Sequence, residues 1–593
     1  MKHLFCILAI VAAGHGSVLL ANNIAVSNAV TKSQNTTAGT NAAANYTLVE
    51  FDLSWDNSWR TSSGPSNWDA AWVFVKFMVG VSNPVFTGAS SSGTTVTVSS
   101  TANLRVGMPV YKTAGTGNFA ANTVISSISS ATTFVVSGSA PNLSNATISC
   151  QRIWEHASLD ATAGNHTAPA GSTMDVPSDG VGVFLYRSAN GTGTFSLSDV
   201  ELRWVYGTNG VRDDAVVQVK VFAIETVWVP QASFVVGSGG SAPSEFYTHT
   251  TNVPFQISSE NQITVGTSSG NLYYPSTNYG GDRDGPIPAA FPKGYAGFYC
   301  MKYEISQGDY RDFLNTLTYT QQTSRAGSVT GSAGTGALNI TNNNRNGIDI
   351  QTPGVAASFT PAVYACNLDL DANYNEAVDG EWIACNFLGW IDGCAYVDWA
   401  GLRPMTELEY EKACRGDQAA VSGEYAWGTS TIHASSYAAL NAPGANNESP
   451  NAPSTTAGNA SYNTTDGAID GPLRVGLFAT ASSSRMTSGG SYYGIMELSG
   501  NLWDRVVTIG HATGRNFTGL NGNGQLSPNG HANQSLWPGI SGSEVTGADG
   551  SGFRGGDWNS AESHARVSDR INATIAETAR GSHYGFRGVR VFP

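Results

Sequence analysis

Charge is what this chain of 593 residues has least of: 12% of its side chains are charged, about half of the roughly 25% usual in globular proteins. Basic residues are scarcer still, 30 against 44 acidic, for a net charge of −14. Such a surface repels a phosphate backbone, so nucleic acid is excluded as a partner class. Long apolar runs are also lacking. The one candidate, residues 4–13, falls short of the roughly 20 residues a membrane span needs, so no span is expected. Lys2 and His3 precede that run and small residues around Leu19-Leu20-Ala21 follow it. This pattern predicts a cleaved bacterial export signal over residues 1–21 and a secreted or cell-surface protein. Cysteine is sparse: Cys6 lies in the signal, and Cys150, Cys300, Cys366, Cys385, Cys394 and Cys414 remain. No CxxC or Cys/His cluster points to zinc. Six cysteines allow 15 pairings; Cys366 and Cys385, which bracket one polar loop, are the expected pair. No cysteine follows Cys414.

What is present is a hydroxyl- and amide-rich chain with strand patterning. From residue 22 to 235, segments such as TLVEFDLSW, AAWVFVKFMV, VGVFLYRS and AVVQVKVFAIETVWV alternate or run apolar over strand lengths, with turn signals such as TNGVRDD between them. This predicts a β-sandwich. Residues 83–150 interrupt it. They are nearly free of charge, rich in Ser, Thr and Gly, and carry their own short alternating strands. They read as a small β module inserted in a strand–strand loop. Residues 236–593 form the third unit. There MKYEISQGDYRDFLNTL predicts a strand followed by a helix capped by Ser306. WIACNFLGWIDGCAYVDWAG predicts a second helix. Thr406 opens a third, closed into a capping box by Glu409. Some 140 residues of Gly/Asn/Ser-rich loop follow, and such a stretch needs metal, disulfides or function to order it.

Six motifs occur in order: ETVWVPQASFVVG, YEISQGDYRDFLN, WAGLRPMTELEYEKACRG, YGIMELSGNLWDRV, FRGGDW and GFRGVRV. Together they resemble the formylglycine-generating (sulfatase-modifying factor) family, a variant of the C-type lectin fold, over about residues 224–593. The resemblance implies a multidomain chain: an all-β sandwich with its inserted module, then an α+β C-type lectin-like domain.

The resemblance carries fold further than activity. The family's oxidase holds copper(I) with two cysteines. The first position falls on Ser560, two residues beyond Trp558. The second falls on Ala565, or on His564 in a shifted register. Soft copper(I) needs soft thiolates, so no copper and no such oxidase are expected. The related three-histidine iron chemistry lacks its His-x3-His-x-Glu pattern. Ser560, His564 and Asp569 permit a triad on paper, but geometry makes a triad, and a polar rim is the competing reading. Arg566, Asp569, Arg570, Arg580 and Arg587 read as ties between the closing strands and the loops.

What the resemblance does imply is structural calcium. Glu497 and Asp504 would give side-chain oxygens, with Gly500 and Leu502 giving carbonyls. A second site would use Asn441, Ala442, Asp466 and Ala468. Calcium takes six to eight oxygens, which these sets with water supply. NLDLDANYNEAVDGE also resembles a calcium loop, with Asn367, Asp369, Asp371, Asn373 and Asn375 on alternate positions. The Gly expected at its sixth position is missing in either register, and a solvated turn is the competing reading. Trp503 reads as core.

The expectation is a non-catalytic secreted protein: a matrix, sheath or filament subunit, or an adhesion or display protein, self-associating through its β domains. The alternative is a receptor for a glycan or surface protein, its ligand face around Trp558, Ser560, His564 and Arg566, with Asn559–Tyr584 as the segment that diversity-generating elements would vary. An enzyme of unrelated chemistry at the same cleft ranks third.

Overall fold

The computed structural model describes residues 23–275, 279–339, 343–437 and 439–591. The export-signal segment therefore lies outside the described residues. The first sheet joins Ala25–Asn35, Tyr46–Arg60 and Gly191–Trp204 in antiparallel register. Tyr46–Arg60 alternates as far as Trp55, and Val49, Phe51, Leu53 and Trp55 point inward. That is the period-two pattern of a strand with one wet face.

Opposite it lies a longer sheet. Its order is Ser172–Asp175, Val183–Arg187, Asp69–Val79, Val217–Val229, Phe298–Met301, Gly588–Arg590 and Arg403–Pro404. It does not stop at residue 235. Val217–Val229 pairs with Phe298–Met301, which pairs with the closing strand Gly588–Arg590. Asp69–Val79 explains the fusion. Its run DAAWVFVKFMV is buried on both faces. Ala71, Val73, Val75 and Phe77 fill the sandwich core, while Ala70, Trp72 and Phe74 enter the core of the lectin-like part. A nearly continuous apolar run is what burial on both faces requires. Lys76 lies on the second face, buried, and donates to the carbonyls of Trp399 and Gly524 at 2.8 and 2.6 Å.

Between Asp69–Val79 and the return of the chain at Glu155, strands from Val85 to Cys150 form a separate six-stranded sheet. Its core is its own: Val96, Met108, Ile125, Phe134 and Ile148 are buried there. Its two ends are clasped. Asn83 Nδ2 donates to Gln151 Oε1 at 2.6 Å, and Arg152 reaches the Gly80 carbonyl at 2.6 Å.

The longer helices of the lectin-like part are Gln307–Leu314, Tyr319–Arg325, Trp390–Trp399 and Glu407–Arg415. Ser306 and Thr406 accept from the backbone N–H of Asp309 and Glu409, the capping boxes expected. The helix expected from residue 382 starts later. Residues 382–389 are irregular, and Asp392 Oδ2 accepts from the Gly389 N–H to start the helix there. No disulfide joins Cys366 and Cys385: all six cysteines of the described residues are free and buried. Buried ion pairs reach into the Gly/Asn/Ser-rich stretch, Glu424 to Arg415 at 2.5 Å and Glu448 to Arg345, and others close the elements on either side of it. Glu407 receives Arg570 at 2.7 Å and Arg554 at 3.1 Å, and Asp392 receives Arg580 at 2.9 Å. Breaking such a pair by removing one partner costs about 3–5 kcal/mol, so these pairs hold register where regular ladders are absent. No helix of the described residues is long and apolar enough to cross a membrane.

Candidate functional site

Strands Asp504–Val507 and Ser551–Arg554 pair. Just beyond them the chain folds over a cleft of about 270 Å³. Its apolar wall is aromatic. Trp503 meets Phe553 edge-on at 5.9 Å between centroids, and Phe553 lies 4.7 Å from Tyr584. Its polar wall comes from Asp557, Ser560, His564 and His583. Asp557 caps a tight turn: it accepts from the Asn559 N–H at 2.6 Å, and its own N–H reaches Ser560 Oγ at 2.9 Å. His564 stands 5.8 Å from Trp503, and its Nδ1 faces Asp569 at 3.8 Å. That partner holds the imidazole above its usual range, while burial raises the Asp557 carboxyl.

The two positions that would carry thiols are now placed. The Ser560 hydroxyl is committed to the Asp557 turn, donating to that residue's carbonyl at 3.1 Å. Ala565 is buried, and its carbonyl accepts from Ser499 Oγ at 2.7 Å. No bond links Ser560 to His564, so the paper triad is not assembled. Among the expected ligand-face residues, Ser560 and His564 line the cleft. Trp558 does not. It is 4% exposed, packs with Tyr303, Met496 and Leu502, and donates to the Ser582 carbonyl. Its Gly-Gly-Asp turn swings it inward, toward the core. Arg566 sits behind the cleft, beside Tyr425. Trp503, expected as core only, is buried and still forms part of the cleft wall. Asn572, Ile575, His583 and Tyr584 were not singled out individually, yet all fall inside Asn559–Tyr584. That segment supplies most of the lining.

Behind the cleft, three buried carboxylates surround one guanidinium. Arg587 Nε approaches Asp504 Oδ1 at 3.3 Å, while its terminal nitrogens donate to the carbonyls of Met301, Lys302 and Met496. Glu304 accepts from the Leu502 N–H at 2.9 Å. Glu497 accepts from the Gly476 N–H at 2.8 Å from a left-handed backbone, φ 53°. Gly500 has φ 86°, and a Cβ there would stand 2.3 Å from the Ser461 carbonyl, so this turn requires glycine. Glu497 Oε2 and Asp504 Oδ2 are buried without a partner. Burial pushes Glu497 up to about 7 and raises Asp504 and Glu304. Arg587, with Arg474 also acting on Glu497, thus faces three acids, and two hard oxygens are left orphaned, so the donor set suits a hard cation in kind. The residues of the second position are engaged as follows. Asn441 donates to Ser449, and Asp466 accepts from its own loop at Asp470 and Gly471. Ala442 lies in the loop after Asn441 with φ 48°, and Ala468 lies past the short helix Asn463–Asp466.

A larger, acid-lined cleft of about 480 Å³ lies where both parts meet, with Glu225, Glu304, Asp309 and Glu376 on its walls.

No curated protein matches the chain. One matching solved structure is the Treponema denticola variable protein 1, at 10% identity and a TM-score of 0.27, over 63% of this chain and 96% of that one. The model of the sulfatase-modifying factor enzyme 1-like domain matches residues 249–592. That span is more than half of the chain and holds the cleft, its paired strands and the capped helices, and the protein belongs to this family.

Proposed function

We propose that this chain is a non-catalytic, exported display or adhesion protein that keeps the family's cleft as a binding surface. The observation that carries the reading is the lining of that cleft. Where the family's oxidase places two thiols, this chain has a serine locked in a turn and a buried alanine. Aromatic and imidazole groups from Asn559–Tyr584 face the space instead. Flat aromatic faces beside fixed polar groups suit a glycan ring or a surface-protein loop. Calcium would be held by Glu497 and Asp504 with the carbonyls of Gly500 and Leu502, where it would neutralise the excess buried acid.

Two measurements test this. Copper(I)-supplied protein should leave a cysteine-containing sulfatase peptide unchanged by mass; any formylglycine product would end the non-catalytic reading. On a glycan and surface-protein array, binding should fall when Tyr584→Ala empties one side of the cleft. Undiminished binding by that variant would place the ligand elsewhere.

Self-association is the second reading, favoured by the edges of the outer sheet. Ala25–Asn35 is one edge strand, 11 residues long; Gly191–Trp204 is the other, 14 residues long, its last part covered by residues 159–167 through bridges at Thr167–Glu201 and Leu159–Trp204. Such edges accept a further strand, although register shifts at Ser27/Val30 and Leu197/Val200 blunt them. Light scattering and negative-stain microscopy, with and without calcium, should show assemblies. A monomer at high concentration would refute this reading.

A further inference from the structure

Where the sandwich and the lectin-like part share a sheet, a lysine and two carboxylates are buried against one another. Asp69 opens the strand Asp69–Val79, Glu225 lies on Val217–Val229, and Lys302 follows Phe298–Met301. Val217–Val229 runs between the other two: Val227 pairs with Asp69, and the Lys302 N–H donates to the Glu225 carbonyl at 2.9 Å. Lys302 Nζ lies 2.9 Å from Glu225 Oε2 and 3.3 Å from Asp69 Oδ2. The lysine side chain is 4% exposed and the two acids are at most 1% exposed. Trp59 and Tyr303 wall off the ammonium, their ring centroids 4.8 and 5.3 Å from Nζ. As an ion cluster this is costly, because two carboxylates are buried against one ammonium and desolvation can exceed the Coulomb gain. Burial pushes the Glu225 carboxyl up to about 7 against the pull of Lys302, and its Oε1 is buried without a partner. Burial opposes the Lys302 charge as well, but the charges around it, Glu225 first, hold it above its usual range. Asp69 is placed differently. Its Oδ2 accepts from Trp55 Nε1 at 2.9 Å, and its Oδ1 accepts from the Ser58 hydroxyl and the Trp59 N–H, both at 2.9 Å. Three donors thus converge on the two oxygens of one carboxyl group, and a lysine nitrogen stands beside it.

We infer that Lys302 and Asp69 become joined by an intramolecular amide (isopeptide) bond, with Glu225 as the proton carrier. Glu225 takes one proton from the ammonium, which frees the nitrogen lone pair, and passes it to Asp69 Oδ2. The nitrogen attacks Asp69 Cγ, the N–Cγ bond forms, and negative charge gathers on Oδ1, where the Ser58 hydroxyl and the Trp59 N–H already point. Glu225 then moves a second proton from the nitrogen to the departing Oδ2. The Cγ–Oδ2 bond breaks and water leaves. One ammonium and one carboxylate become one amide and one water, and Glu225 ends as it began. Groups fixed in contact react as if at about 10⁵–10⁸ M, and the aromatic walls keep out the bulk water that would reverse the step. The neutral amide also removes two buried charges. The water formed has exits, since Lys302 borders the cleft that holds Trp59 and Tyr492, and Glu225 borders the larger acidic one. The bond spans the middle strand and ties the sandwich to the lectin-like part across a sequence separation of 233 residues.

The test is a peptide map of the full-length protein, denatured and digested with trypsin. An amide on Lys302 blocks cleavage after it. The expected product is residues 61–76 linked to residues 294–311, at the summed peptide mass less one water, with fragment spectra placing the link at Asp69 and Lys302. Lys302→Arg and Asp69→Ala should each give an unlinked map and slower migration in denaturing gels. Glu225→Gln keeps both partners, and after refolding, checked by circular dichroism, it should form the link roughly a hundredfold or more slowly. Release of residues 61–76, 294–302 and 303–311 as separate peptides of full mass from wild type would overturn the bond and leave a buried ion cluster. The wild-type map decides this whether or not a variant folds. A Glu225→Gln protein that links as fast as wild type would overturn the role of Glu225.

Discussion

The inserted module and the strand that precedes it are consecutive in the chain and opposite in construction. Val85 to Cys150 bury their apolar residues in a core no other unit shares. Asp69–Val79 divides its side chains between two cores. From within the module Arg105 tethers it to the sandwich, bonded to Glu155 at 2.7 Å and to the carbonyl of Gly210 at 2.9 Å. The comparison teaches that low charge and short strands do not decide independence. What decides it is whether both faces of a strand are needed elsewhere.

The largest way to break this contrast is Trp72→Ala. The indole is fully buried and its Nε1 donates to the Ala400 carbonyl at 2.7 Å. A loss of about 3–5 kcal/mol is expected. Because the sheet is shared, denaturant melts followed by tryptophan fluorescence should show the sandwich and lectin-like parts losing stability together. Two separate midpoints would break the fusion argument.

Calcium should act next in size. Binding to the folded state alone adds roughly 2.7 kcal/mol at a hundredfold excess over Kd. Chelator should lower the single main transition, and Glu497→Ala should abolish the part due to the buried set. The pH dependence sharpens this. The folded-state value of Glu497 is raised to about 7. Without metal, its contribution to stability is therefore present below the ordinary carboxylate range and lost as pH rises through about 7. A cation needs the ionised form, so the chelator effect should grow from pH 5.5 to pH 8. A flat profile would remove the assignment.

Deleting residues 83–150 should do less. Arg152 still clasps the Gly80 carbonyl across the gap to be rejoined, a surface loop costs little entropy to shorten, and among the described residues the ion pair lost with the module is Arg105–Glu155 alone. Soluble protein with a nearly unchanged main transition is expected; insoluble protein would place the module in the core. The smallest effect belongs to His564→Ala. Asp569 raises the imidazole, so the stability it lends is present below its ordinary range and fades as pH rises through the raised value. A variant whose melting temperature falls equally at pH 5.5 and pH 9 would deny the pair.

Much of this was legible in the sequence, for physical reasons. Ser306 and Thr406 announce their helices because a cap is a local contact. The six motifs mark the fold because each is a turn or a pairing that few sequences satisfy. The module is visible as a drop in charge. The run AAWVFVKFMV betrays a buried strand, but nothing local says that its second face belongs to residues 300 positions away. The cleft was legible as a segment, Asn559–Tyr584, and less so by residue. Trp558 turns inward and Trp503 outward through turns whose direction depends on Gly555, Gly556 and Asn501.

The strand Asp69–Val79 also settles how the molecule carries load. Its two faces are packed into two cores, so a pull between the sandwich and the lectin-like part has to strip a whole buried apolar face from its core. No linker exists there to stretch or swing. A ligand held in the cleft and an anchor on the outer sheet would be joined by a rigid beam, and tension on one would reach the other undiminished.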